Sequence, residues 1–452
     1  MKPNILFIML DDLGKEWVDV YGAECIELPN VTELARTGMQ FKNAYSMPQC
    51  TPSRVALMTG QYPFRNGWIN HWDVPRWGAG CHFDWRRNPC VARILKEAGY
   101  RTAAAGKWQV NDFRVHPDAM TKHGFDDYCM WTGYETGNDP SANRYWDPYI
   151  HTKDGSKTYE GQFGEDIFSD FLIEFMRENQ DDPMFLYYPM CLPHTPFTTT
   201  PLQPEVEGKY ERHKAMVRYI DHILGKMIDA LEELGLRENT IVIWTTDNGT
   251  TGQLSNRLNG REVQGGKQKT TENGICAPFI VNCPGLVPEG VVSDALVDFS
   301  DMLPTFADMA DAELPVEYGF DGVSVADVFL GEAGDSVREY ILGMGGQNRA
   351  KVSDVGVENE WRFRDRVIRD KQYKLFIDTD RQPEKLVDII NDPDEEVDIS
   401  DSEDPEVQAA RQKLEAQIPL FPRWDNDPQY VPQPPQEWDV PVTVESKVWK
   451  KK

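Results

Sequence analysis

The feature that most restricts the fold is a set of short, unbroken apolar runs that stop abruptly at polar or acidic residues. Residues 4–10 read Asn-Ile-Leu-Phe-Ile-Met-Leu and pass straight into Asp11-Asp12-Leu13-Gly14. Residues 240–246 read Thr-Ile-Val-Ile-Trp-Thr-Thr and pass into Asp247-Asn248-Gly249. Residues 183–188 and 278–281 form two more such runs. A strand with one wet face alternates apolar and polar side chains. A run without alternation therefore predicts a strand covered on both faces, as in a parallel sheet. Between these runs, apolar spacing and stop residues predict helices over 31–38, 53–59, 91–98, 168–178 and 216–234. Residues 102–106, Thr-Ala-Ala-Ala-Gly, read as a small-residue strand edge leading into Lys107-Trp108. The alternation predicts an α/β protein with a mostly parallel sheet flanked by helices. In such sheets functional groups gather beyond the carboxyl ends of the strands. Asp11, Asp12, Asp247 and Asn248 all sit at such ends.

After Gly331 the texture changes. Residues 367–377 predict an antiparallel hairpin, Asp392-Pro393-Asp394-Glu395 a turn, and residues 407–417 a charged helix. From Phe421 the chain is rich in Pro, Asp and Trp, which predicts an extended tail packed on the surface. The expected organisation is a main domain over 1–335 and a smaller C-terminal α+β subdomain over 336–452 carrying an antiparallel sheet.

The net charge of −27 disfavours nucleic acid and anionic membranes as partners. An anionic substrate would need cations or a metal concentrated at its site. Eight cysteines lie without C-x-x-C spacing, which argues against a zinc-finger or thioredoxin-like site. Cys81 and Cys90 are near enough in sequence for a local disulfide, with their redox state left open. No apolar run reaches the length of a membrane span. No signal peptide precedes the first strand, so the chain is expected to be cytoplasmic or to have had its leader removed. The two acidic strand ends supply hard oxygen ligands, which suit Ca²⁺ or Mg²⁺ rather than zinc.

The pentapeptide Cys50-Thr51-Pro52-Ser53-Arg54 narrows the chemistry. Its Cys opens a predicted helix, where backbone N–H groups and the dipole favour an anion. Arg54 follows one turn later and would point at the same spot. This C-x-P-S-R segment, followed by Leu57-Met58-Thr59-Gly60, resembles the signature of the formylglycine-dependent sulfatases. Further segments resemble that family in order: residues 4–14, Gly99-Tyr100-Arg101-Thr102, Gly106-Lys107-Trp108, Gly124-Phe125-Asp126, residues 193–197, residues 246–249, residues 265–274, residues 301–305, and Leu386-Val387-Asp388 with Asp392-Pro393.

The resemblance implies an alkaline-phosphatase-like fold and hydrolysis of a sulfate ester through a formylglycine made from Cys50. It implies Ca²⁺, with Mg²⁺ second, bound by Asp11, Asp12, Asp247 and Asn248 together with the modified Cys50. It implies that Arg54 holds the formylglycine, that Lys107 and Lys267 clamp sulfate oxygens, and that His194 protonates the leaving alcohol. A maturation enzyme acting on Cys50, and a periplasmic or secreted location, follow from the same resemblance.

Two positions depart from the family pattern. Gln109 stands where a His is common, and an amide cannot transfer a proton near neutral pH. Either the acid–base help that such a His gives comes from elsewhere, or Gln109 only orients the gem-diol. Asn273 stands where Gly is usual, which predicts a left-handed backbone there. Trp, His and Arg are dense over 66–73, at Arg76-Trp77 and over 82–87, and a second aromatic loop spans 134–146. These either form a subsite for a sulfated oligo- or polysaccharide or stitch the core. The rival functions are a phosphate or phosphonate monoester hydrolase of the same superfamily and a catalytically silent carbohydrate-binding relative.

Overall fold

The computed structural model describes residues 2–71, 82–113, 115–131, 142–346, 348–353 and 356–428. Its main sheet uses β1 (Asn4–Leu10), β2 (Met39–Tyr45), β3 (Arg101–Lys107), β4 (Asp127–Trp131), β5 (Tyr149–Thr152), β6 (Gly155–Thr158), β7 (Met184–Pro189) and β8 (Thr240–Thr246). A hairpin of β9 (Ser255–Leu258) and β10 (Arg261–Gln264) stands apart, and β11 (Cys276–Asn282) and β12 (Val291–Asp298) complete the sheet. The order is β12-β2-β11-β8-β1-β7-β3-β4-β5-β6. Pairing is parallel at β12–β2, β8–β1, β1–β7, β7–β3 and β3–β4. It is antiparallel at β2–β11, β11–β8, β4–β5 and β5–β6. The sheet is therefore mostly parallel, as expected.

The unbroken run of β1 has the predicted cause. Ile5, Phe7 and Met9 enter one core, Leu6, Ile8 and Leu10 enter the other, and every residue from 5 to 10 is fully buried. The first face is covered by the helices Cys50–Thr59, Val91–Glu97 and Met302–Met309. The second is covered by Pro29–Arg36, Gly164–Glu178 and Lys209–Glu233.

Two readings need correction. Residues 102–106 are not at an edge, because β3 lies between β7 and β4; small side chains suit a strand crowded on both sides. The run at 278–281 is a buried strand, but β11 runs against both of its neighbours. β2 and β12 were not legible as strands, since exposed or half-buried polar residues such as Lys42, Asn43 and Asp294 interrupt their apolar pattern.

The C-terminal residues form a four-stranded antiparallel sheet ordered β13 (Ile341–Met344), β16 (Arg366–Arg369), β17 (Tyr373–Ile377), β18 (Pro383–Asp388). A hairpin of β14 (Ala350–Ser353) and β15 (Gly356–Asn359) precedes β16. The expected hairpin is β16–β17, and the helix Pro405–Glu415 packs on β17. The core of this sheet, with Leu342, Ile368, Leu375 and Leu386, continues into Met47, Tyr62, Phe64 and Ile69 on either side of the Cys50 helix. Of the expected tail, only Phe421–Pro428 falls within the described residues.

Because β1 is covered on both faces, Phe7→Ala and Ile8→Ala should each lower the unfolding free energy by about 2–5 kcal/mol. Denaturant unfolding measures this; tolerance of either change would mean that one face is open.

Candidate active site

The parallel register of β1 and β8 sets Leu10 opposite Thr246, so the next residues of both strands meet beyond the sheet. Backbone bonds extend the pairing: Asp247 N donates to Leu10 O at 3.0 Å, and Asp11 N donates to Leu192 O at 2.9 Å. Asp12 takes a left-handed φ of 69°, and its N–H donates to Asp247 Oδ1 at 3.1 Å. Asn248 Nδ2 donates to Asp12 Oδ1 at 2.7 Å. Asp11, Asp247 and Asn248 are fully buried and Asp12 is nearly so.

The helix Cys50–Thr59 aims its first residue at this cluster. Ser53 Oγ accepts from Met47 N and lies within bonding distance of the Met47 and Gln49 carbonyls, which fixes the chain entering the helix. Cys50 Sγ lies 3.3 Å from Asp11 Oδ1 and 3.8 Å from Asp12 Oδ1. One turn on, Arg54 donates from Nη2 to Asp247 Oδ2 at 2.6 Å, with Asp11 Oδ1 at 3.8 Å. From the end of β3, Lys107 Nζ reaches Asp11 Oδ2 at 2.7 Å with no exposure. Lys267 Nζ reaches Asp12 Oδ2 at 2.6 Å and Cys50 Sγ at 3.7 Å. His194, on the loop after β7, places Nε2 3.5 Å from Asp12 Oδ2.

Charge balance governs the ionisation of this group. Burial works to raise Asp11, yet Lys107, His194, Arg54 and Lys267 hold its carboxyl well below the usual carboxylate range. Asp12 is lowered in the same way, burial being outweighed chiefly by Lys267 and His194. Asp247 goes the other way, raised to about 6 by burial and by Asp11 against the pull of Arg54. Burial and Asp247 push the Cys50 thiol up, so the unmodified sulfur is protonated at neutral pH and is a poor nucleophile. Burial and Lys267 push His194 well down.

The donor set fits a hard cation. Three carboxylates converge, and the buried Asn248 Oδ1 has no hydrogen-bond partner among the described residues. Ligand atoms of Asp11, Asp12, Cys50 and His194 all lie within 4.8 Å of one another.

Nine of the ten residues singled out in the sequence thus come together. Gln109 is buried with φ 62°, and its Oε1 lacks a partner; among the described residues it shares no hydrogen bond with Cys50. The left-handed residue of the glycine-rich loop is Gln268, φ 73°, while Asn273 lies in the right-handed turn Glu272–Ile275. The left-handed expectation for Asn273 is therefore wrong: its carbonyl packs where a Cβ on Gly249 would sit, and its Nδ2 donates to Gln264 O.

The described part of the aromatic segment also departs from a sugar platform. Trp68 is 1% exposed and edge-on to Phe83, and Asn70 ties Arg349 N and Arg364 Nη1 through its Oδ1. Trp85 packs against His116, His123 and Lys122. Trp68 thus has no free face, while Trp85 is half-buried. Trp72, Arg76, Trp77, Cys81 and residues 134–141 lie outside the described residues, while Cys90 is a buried free thiol.

Three positioning groups were not recognised from the sequence. Arg144 Nη2 lies 2.9 Å from His194 Nδ1 and donates to Thr195 O. Glu165 Oε1 accepts from Cys191 N and Leu192 N, and its Oε2 accepts from Tyr188 OH, holding the His194 loop. Glu272 accepts from Tyr45 OH, Arg369 and Lys374, which pins the Lys267 loop to the C-terminal sheet. Arg144 and Glu165 stand in no motif, whereas Glu272 lies within the glycine-rich segment 265–274.

A model of the sulfatase family matches residues 3–312. The chain belongs to the sulfatase family. The chain is 31% identical over 360 residues to the N-acetylgalactosamine-6-sulfatase of Canis lupus familiaris, covering 73% of this chain and 66% of that relative's own length. The solved structure of Ps i-CgsB superposes with a TM-score of 0.78 at 25% identity over 95% of both chains; it is also solved in complex with k-i-k-neocarrahexaose. A structure in complex with its substrate, D-glucosamine-2-N,6-O-disulfate, shares the fold at a TM-score of 0.72 and 20% identity, over 95% of this chain and 99% of that one.

Burial raises the pKa of Glu165 to about 7, against its hydrogen bonds from Tyr188, Cys191 and Leu192. A raised folded pKa means the native state holds its proton more tightly than the unfolded chain does. The stability from this group is present below the unfolded value of about 4.3 and is lost as pH rises through about 7. Glu165→Gln should gain on the parent protein between pH 5 and 8, by on the order of 3 kcal/mol. Unfolding free energies at the two pH values check this; an unchanged difference would contradict it.

Proposed function

We propose that this sulfatase hydrolyses a sulfate ester on a carbohydrate, through a formylglycine derived from Cys50 and with Ca²⁺ held by Asp11, Asp12, Asp247 and Asn248. The observation that carries this reading is the convergence of Arg54, Lys107, Lys267 and His194 on three carboxylates and Cys50, within a chain of net charge −27. Such a pocket concentrates positive charge where an acidic surface would otherwise repel an anion. The carbohydrate assignment draws on the names of the relative and structures above.

The modified Cys50 would supply an aldehyde hydrate as nucleophile, and the cation would polarise sulfuryl oxygens and favour ionisation of that hydrate. The protein groups do the rest. Arg54, fixed by Asp247, holds the nucleophile and counters nearby negative charge. Lys107 and Lys267 bind sulfate oxygens at the ends of β3 and of the glycine-rich loop. His194 stands beside Lys267, and we assign these two groups to the leaving alcohol, to which a proton passes as the S–O bond breaks. Arg144 Nη2 and the Thr195 carbonyl both lie against His194 Nδ1, which leaves Nε2 facing the site. Gln109 transfers no proton here. A maturation enzyme acting on Cys50 and a periplasmic or secreted location belong to the same proposal. Among the described residues no helix is long and apolar enough to cross a membrane.

Turnover of nitrophenyl sulfate should exceed that of nitrophenyl phosphate, and a panel of sulfated mono- and oligosaccharides should release sulfate. Lys107→Ala and Lys267→Ala should each lower the rate by about 10²–10³. A chelator should abolish activity and Ca²⁺ restore it. Preference for the phosphate ester would overturn the assignment.

A further inference from the structure

We infer that the C-terminal subdomain carries a second binding surface, apart from the Cys50 site, for the chain of a sulfated polysaccharide. This rests on the sulfated-carbohydrate reading above. Its centre is Trp424, a large aromatic side chain that is 54% exposed. The guanidinium of Arg362 lies 4.9 Å from the centre of its ring and that of Arg423 lies 5.5 Å away. Both arginines are exposed, and neither makes an ion pair or side-chain hydrogen bond among the described residues.

Trp424 stands between two adjoining clefts. One, of about 610 Å³, is lined by Lys351, Asn359, Arg362 and Arg423. The other, of about 410 Å³, is lined by Trp361, Arg362, Arg381 and Arg423. Most of the acids facing these clefts are engaged. Glu358 lies 3.8 Å from Lys351, Asp425 pairs with Arg366 at 2.7 Å, and Asp427 accepts from Asn359 N at 2.6 Å. Glu360 and Asp380 remain, facing three guanidiniums that form no ion pair among the described residues; the side chain of Arg381 donates to the carbonyls of Ile418, Phe421 and Pro422.

The surface is held in shape before any ligand arrives. Asp425 N donates to Arg362 O at 2.6 Å, and Asp425 Oδ2 accepts from Arg364 N at 2.7 Å, which locks the Arg362 and Trp424 segments together. The Arg381 bonds fix the same segment from the other side. A preorganised indole face suits the apolar C–H face of a sugar ring, and flanking guanidinium forks suit sulfate oxygens. A polymer with repeated sulfates would meet both features at once. By retaining the polymer, the surface would raise the local concentration of ester groups at the catalytic pocket.

Affinity electrophoresis of the full chain through gels containing dextran sulfate, with unsulfated dextran alongside, tests this. Dextran sulfate should retard the protein and dextran should not. A Trp424→Ala/Arg362→Ala/Arg423→Ala variant should lose about tenfold or more in apparent affinity, a difference of roughly 1.4 kcal/mol. Its turnover of nitrophenyl sulfate should be unchanged. If the triple variant does not fold, the single reversal Arg423→Glu, at an exposed side chain, carries the same expectation. Undiminished retardation of the variant, or equal retardation by unsulfated dextran, would overturn the inference. Loss of nitrophenyl sulfate turnover in the parent protein would instead strike at the proposed function.

Discussion

The structure depends on the in-register parallel pairing of β1 with β8. Asp12 and Asn248 are 236 positions apart, yet that register puts them in hydrogen-bonding contact just past the sheet. A slip of one residue would turn every side chain of β1 to the opposite core and separate the two acidic pairs. The same hydrophobic burial that orders the sheet therefore fixes the geometry of the candidate metal site. Neither core face can be loosened without loosening the chemistry.

Bringing three carboxylates together with almost no solvent exposure is costly unless cations come with them. Arg54, Lys107 and Lys267 arrive from three separate elements, each paired with a different aspartate. Removing one partner would leave a buried charge, a loss of about 3–5 kcal/mol. The pairing that stabilises the fold also stores positive charge beside Cys50. Charged groups needed for an anionic ester are thus built in as counter-ions.

The central strands were legible because burial on both faces leaves an unbroken apolar signature, as in β1 and β8. β2 and β12 were not, since Gln40, Lys42, Asn43 and Asp294 break their pattern while the backbone still pairs. The site residues on motifs could be named from the chain alone, whereas Glu165 and Arg144 could not. Their importance lies in contacts with the 190–195 loop, which no local pattern encodes. Trp68 shows the converse: an aromatic-rich segment reads alike whether it lines a pocket or fills a core, and only its burial decides. Asn273 was expected in the left-handed region, but the need for a left-handed residue had moved to Gln268.

The C-terminal sheet is more than an appendage. Its core merges with residues flanking the Cys50 helix, and Arg369 and Lys374 grip Glu272 beside the Lys267 loop. It thus positions one side of the pocket. All of this chemistry turns on one atom, because the Cys50 thiol as it stands is held protonated by its surroundings. The most direct measurement is mass spectrometry of the proteolytic peptide containing Cys50, after co-expression with a formylglycine-generating enzyme. The account predicts that the peptide carries an aldehyde in place of the thiol, trapped by an aldehyde-specific hydrazide; an active protein with unmodified Cys50 would contradict it.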